Sequence, residues 1–219
     1  MEKKKAFLFD MDGVIVDSNP AHKTSLKEFC GRYGHKLSEE QLKEKIYGRT
    51  NKDWIPAVFG DIEESEMRRL AAEKEALFRK IYVATIRPLD GLIDFLRAAQ
   101  EASVPMAIAT SAPRENVDFT LENTGTGGFF DKILDESFVQ KGKPDPEIYV
   151  KTARALGFST ENCIVFEDSL SGVKSGKSAG CKVVAISTTH SAEELHEADL
   201  VLENFVGIDP VKLISRVFS

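Results

Sequence analysis

Apolar runs that stop abruptly in polar residues predict an α/β fold: a parallel sheet with helices between its strands, interrupted once by an all-helical insertion. Three observations carry this. The run from Lys5 to Asp10 is apolar and ends in acid, as a strand buried on both faces of a parallel sheet does. Three later runs behave alike: Met106-Ala107-Ile108-Ala109 ends at Thr110-Ser111, Cys163-Ile164-Val165-Phe166 at Glu167-Asp168, and Val183-Val184-Ala185-Ile186 at Ser187-Thr188-Thr189. Helical patterns separate these runs, but from about Asp17 to Pro88 only helical patterns are found.

The helices are punctuated at both ends. Asp145-Pro146 is a cap followed by a first-turn proline; Ile148, Tyr149, Ala153 and Leu156 then share a face, and Gly157 stops it. Asp168-Ser169 opens a helix through Leu170 and Val173 to Ala179, before Gly180. Asp90 opens another, with Leu92, Phe95, Leu96 and Ala99 on one side. In the inserted segment, Leu26, Phe29, Cys30 and Tyr33 keep helical spacing up to Gly34. Ser38 and Gln41 form a capping-box pair ahead of Leu42 and Ile46. Met67, Leu70, Ala71, Leu77, Phe78 and Ile81 form a stripe with Lys74 as its charged interruption, read as helix–helix core. Residues 1–16 and 89–219 are thus expected to form the α/β core, and 17–88 the helical domain.

Composition narrows the function classes. The 219 residues carry a net charge of −6, which argues against nucleic acid or an acidic membrane surface as partner. The clusters Lys3-Lys4-Lys5 and Arg68-Arg69 read as solvated charge. Three cysteines, Cys30, Cys163 and Cys181, without paired spacing fit a reducing compartment and small buried hydrophobes. Asp10 and Asp12 break the N-terminal apolar run too early for an export segment. A cytoplasmic monomer acting on a small molecule is expected.

Four features follow strand ends, where sites of parallel sheets sit: Asp10-Met11-Asp12-Gly13, Thr110-Ser111, Lys143-Pro144 and Glu167-Asp168. An Asp-x-Asp-Gly also opens calcium loops, but the apolar Val14, Ile15 and Val16 that follow do not supply further oxygen ligands. If the strands are neighbours, the acids converge and repel, and a hard divalent cation relieves them. Oxygen ligands without a His or Cys cluster point to Mg²⁺. Lys143 and the Thr110 hydroxyl would serve anionic oxygens. This set suits phosphoryl transfer, which rests on positioning and charge neutralisation.

The order Asp10-x-Asp12-Gly, Thr110, Lys143-Pro144, Glu167-Asp168-Ser169 resembles the haloacid dehalogenase superfamily over nearly the whole chain. The stretches Asp17-Ser18-Asn19-Pro20-Ala21-His22 and Gly142-Lys143-Pro144-Asp145-Pro146-Glu147 are similar to its beta-phosphoglucomutase-like and sugar-phosphate phosphatase branch. The resemblance implies a Rossmann-like core with a helical cap inserted after the first motif. It makes Asp10 the nucleophile, Asp12 the general acid and base, and Thr110 and Lys143 the phosphate-binding groups beside Ser111. Mg²⁺ would be held by Asp10, the Asp12 carbonyl and Asp168, with Glu167 as a further candidate. An acid at Asp12 favours phosphate chemistry over dehalogenation.

Substrate choice falls to the cap, where His22, Tyr47 and Arg49 are the candidate contacts. The mutases of that branch carry a Lys directly before a cap-loop Gly and an Arg three residues after it. Here Tyr47 and Asn51 flank Gly48 in those positions. A phosphatase of a small phosphorylated metabolite is therefore expected, with beta-phosphoglucomutase as the alternative. A phospho-accepting signalling domain fits less well, because its acceptor Asp follows a middle strand and it lacks a large helical insertion.

Overall fold

The computed structural model describes residues 4–46 and 50–219. The chain forms two compact units, Ser18–Thr85 and Met1–Asp17 with Ile86–Ser219.

The first unit is helical: α1 (Asn19–Arg32), α2 (Glu39–Lys45), α3 (Asn51–Phe59) and α4 (Glu64–Tyr82). Gly34, at φ 81°, follows α1. The capping box at α2 is formed: Gln41 N donates to Ser38 Oγ, and Ser38 N to Gln41 Oε1. Leu26, Phe29, Leu42, Trp54, Leu70 and Leu77 make the core, with Phe29 edge-on to Trp54. Lys74 departs from a simple hydrophobic stripe. It is 4% exposed, and its Nζ lies 2.9 Å from Glu75 Oε1 and 3.1 Å from His22 Nδ1. Asn51 Nδ2 donates to the same Glu75 oxygen, and Trp54 Nε1 donates to Asn51 Oδ1. A buried charge survives here because it is paired and hydrogen-bonded.

The second unit is a six-stranded sheet: β1 (Ala6–Phe9), β2 (Met106–Ala109), β3 (Lys132–Leu134), β4 (Cys163–Glu167), β5 (Lys182–Ile186) and β6 (Leu200–Leu202). The order is β3-β2-β1-β4-β5-β6, and all pairs are parallel. It is accompanied by α5 (Leu92–Glu101), α6 (Arg114–Thr124), α7 (Glu147–Leu156), α8 (Leu170–Ser178) and α9 (Pro210–Phe218). The central strands β1, β2 and β4 are wholly buried. Phe7, Phe9, Phe95, Phe166 and Phe205 pack against one another around β1 and β4, with Phe7 stacked on Phe95 and Phe9 on Phe166.

Three local readings change. Asp90 does not cap α5; it pairs with Arg87 at 2.6 Å. Gly91, at φ 78°, opens that helix instead, because a Cβ there would strike the backbone at Phe205 and Val206. Asp145 does not take the cap position of α7, which falls to Pro146, although its Oδ1 accepts from Glu147 N at 3.0 Å. Strands β3 and β6 were absent from the sequence pattern. The three cysteines are free and buried, and burial pushes the Cys163 and Cys181 thiols up to about 12. Among the described residues no helix is long and apolar enough to cross a membrane.

Candidate active site

From β1 the chain builds β2 and β3 on one side, then crosses to β4 on the other. That reversal opens a crevice at the carboxyl ends of β1 and β4. Phe9 pairs with Phe166, and Asp10 N donates to Phe166 O at 2.9 Å. Register alone therefore sets Asp10 beside Glu167-Asp168. Thr110 leaves the neighbouring strand β2 and is buried; its N–H donates to Leu134 O at 3.0 Å.

Lys143 comes from the loop before α7, and its side chain is 8% exposed. Its Nζ donates to Asp10 Oδ1 at 2.6 Å, Glu167 Oε1 at 2.6 Å and Ala109 O at 3.3 Å. Three acceptors match the three protons of an ammonium. Glu167 is fully engaged: Oε1 also accepts from Tyr149 Oη at 2.7 Å, while Oε2 accepts from Asp168 N, Ser169 N and Ser169 Oγ. Gly172 in α8 admits that carboxylate, since a Cβ there would collide with it. Ser169 Oγ caps α8 by accepting from Gly172 N at 3.0 Å.

Asp168 is packed against the first loop. Gly13 has φ 75°, and a Cβ on it would run into the Asp168 carboxylate. The loop is tight: Gly13 N donates to Val16 O at 2.7 Å and Ile15 N to Met11 O at 2.8 Å. Asp12, two residues beyond Asp10, is half-exposed. Thr110 Oγ1 accepts from Ala112 N at 3.1 Å, and Ser111 is exposed. Two residues without a role in the sequence reading bond the acids of β4's end directly. Tyr149, expected only as a helix-face residue, holds Glu167; Thr189, past β5, donates from its hydroxyl to Asp168 Oδ2. Neither was legible, because each contact depends on how β5 and α7 lie against β4.

The electrostatics follow from burial of like charges. Burial, with Glu167 and Asp12 adding to it and Lys143 opposing it, pushes the Asp10 carboxyl up to about 7. Burial, then Glu167 and Asp10, hold Asp168 well above the carboxylate range. Burial also acts on Glu167, but Lys143 outweighs it and keeps Glu167 below its ordinary value. Desolvation lowers Lys143, and Asp10 with Glu167 overcome it, so the amine stays protonated. Oxygen atoms of Asp10, Glu167 and Asp168 lie within 4.8 Å of one another. One lysine cannot neutralise three buried carboxylates. The donor set is all hard oxygen and could hold a hard divalent cation.

The remaining sequence candidates belong to the helical unit. His22 is stacked on Phe78 at 3.8 Å and faces Lys74. Tyr47 and Arg49 lie outside the described residues.

Comparison with known proteins gives one consistent result. The chain is 29% identical to the validoxylamine A 7'-phosphate phosphatase of Streptomyces hygroscopicus subsp. limoneus, over 93% of this chain and 95% of that protein. It is 32% identical to hexitol phosphatase A of Escherichia coli (strain K12), over 95% and 94%. The crystal structure of a HAD hydrolase, family IA, variant 3, from Entamoeba histolytica HM-1:IMSS superposes with a TM-score of 0.90 at 33% identity, covering 98% of this chain and all of that one (100%). The family model for haloacid dehalogenase-like hydrolases matches residues 4–180, a span that contains Asp10, Thr110, Lys143 and Asp168, and the chain belongs to that family.

Proposed function

We propose that this protein is a Mg²⁺-dependent phosphatase of a small phosphorylated metabolite, with sugar phosphates the favoured class, acting through a phosphoryl group carried on Asp10. The observation that carries the reading is a buried carboxylate at a topological switch point, bonded to one lysine and adjoining a second acid, with a half-exposed acid two residues on. The names of the two phosphatase relatives support the substrate class.

In this reading Asp10 and Asp168 supply the carboxylate ligands and Asp12 its backbone carbonyl. Glu167 acts as an anchor: its two oxygens accept five hydrogen bonds, and it holds Lys143. Mg²⁺, when bound, neutralises the facing carboxylates and the phosphoryl oxygens. An Asp10 oxygen attacks phosphorus while the ester P–O bond breaks and Asp12 protonates the leaving oxygen. Asp12 then takes a proton from water, whose oxygen attacks the Asp10-bound phosphorus. Orthophosphate leaves and the carboxylate is restored. Lys143 and Thr110 bind the phosphoryl oxygens through both steps. The helical domain serves as the cap that selects the rest of the substrate.

The test is phosphate release across a metabolite panel with and without Mg²⁺, beside an assay converting beta-glucose 1-phosphate to glucose 6-phosphate. Asp10→Asn should abolish release. Asp12→Ala should stop turnover and leave Mg²⁺ binding largely intact. Fast isomerisation with little phosphate release would assign the chain to the mutases instead.

A further inference from the structure

The ends of β1 and β4 carry the groups used by the proposed reaction, and the end of β5 carries two adjacent hydroxyls that it does not use. In register, Glu167 of β4 sits opposite Ala185 of β5. Residues 187–189 therefore run out of the sheet alongside Asp168. Thr188 Oγ1 donates to the Gly13 carbonyl at 2.6 Å and stands 3.4 Å from Asp168 Oδ2. A hydroxyl has one proton, and the shorter contact takes it. Thr189 Oγ1 donates to Asp168 Oδ2.

The two hydroxyls thus reach two separate segments. Thr189 fixes the rotamer of a buried carboxylate by a hydrogen bond to one of its oxygens. Thr188 fixes the peptide one step beyond the Asp12 carbonyl, in a turn already tightened by the Gly13 N–H to Val16 O bond. A valine at either place would preserve shape while removing the proton.

We infer that Thr188 and Thr189 are positioning residues for the cation site: Thr189 aims the Asp168 carboxylate and Thr188 holds the Asp12–Gly13 turn. The inference rests on the Mg²⁺ reading above. Partners that orient metal ligands typically change metal affinity by about 10- to 100-fold when removed.

The test uses metal binding and not turnover: Mn²⁺ binding by electron paramagnetic resonance, and Mg²⁺ binding by calorimetry, on the full chain. Thr189→Val should weaken binding by about 10- to 100-fold, Thr189→Ser should restore most of it, and Thr188→Val should weaken it less. A structural role alone would lower the melting temperature of the metal-free protein and leave Mn²⁺ affinity unchanged, which overturns the inference. Asp168→Asn separates the two levels. Weak binding in Asp168→Asn with wild-type binding in Thr189→Val sinks only the threonine assignment. Wild-type binding in both sinks the cation site itself.

Discussion

At the scale of single residues, Gly13 is the most constrained position of the site. Its φ of 75° disfavours any side chain, and the space a Cβ would need is filled by the Asp168 carboxylate. The backbone strain alone is worth about 1–3 kcal/mol. Gly13→Ala should lower stability by at least that amount in denaturant unfolding and also weaken Mg²⁺ binding, because Asp168 has to move. A variant that binds Mg²⁺ normally would show that the carboxylate can retreat without leaving its ligand position. Tyr149 illustrates a different constraint. Its hydroxyl and Lys143 share Glu167 Oε1, and the Lys143 ammonium lies 5.0 Å from the Tyr149 ring. The phenol thus belongs to the lysine's setting through the carboxylate oxygen that the two share.

At the scale of elements, α4 places Lys74 and Glu75 together inside a helical core. Burial raises Glu75, but Lys74, His22 and Asn51 outweigh it and hold the carboxyl below its usual range. Removing one partner leaves a buried charge uncompensated, which costs about 3–5 kcal/mol. Lys74→Met should destabilise the protein by roughly that much, and adding Glu75→Gln should recover a large part of the loss. Equal losses in the single and double variants in chemical denaturation would show that the pair is not coupled. The same element shows what sequence can reveal. Spacing gave the helix and its buried face, but Lys74 read as an interruption because His22, which it meets, lies 52 positions away, and Asn51, which bonds its partner Glu75, lies 24 positions from that carboxylate. Strands split the same way. Runs bounded by polar residues revealed β1, β2, β4 and β5. Edge strands β3 and β6 are three residues each and partly exposed, too short for a run or an alternation to register. In the site, the strand-end acids, Thr110 and Lys143 were visible as motifs. Thr188, Thr189 and Tyr149 were not, since their roles exist only once β5 and α7 are packed beside β4.

At the scale of the whole molecule, the buried carboxylates couple folding to pH and to metal. A carboxyl whose folded pKa is raised binds protons more tightly folded than unfolded. Its contribution is therefore favourable at low pH and is lost as pH rises through the folded value. Asp10, pushed up to about 7, and Asp168, held well above its ordinary range, both act in this sense. Carboxyls held low, such as Glu167, Glu75 and Glu147, titrate below this window and add no slope between about pH 5.5 and 8. The Lys143 amine, raised above its usual value, stays charged throughout. The metal-free protein should therefore lose stability as pH rises from 5.5 to 8, by an amount on the order of a few kcal/mol for a shift the size of that of Asp10. Mg²⁺ binds the ionised carboxylates, so its stabilising effect should grow over the same interval and flatten the profile. Asp10→Asn should have a shallower metal-free slope than the parent chain. Melting temperatures in chelator and in saturating Mg²⁺, taken across that range for both proteins, measure this directly. A metal-free profile that is flat or rises with pH would mean that the buried acids are compensated by the protein itself, and that the crevice has no electrostatic need for a cation.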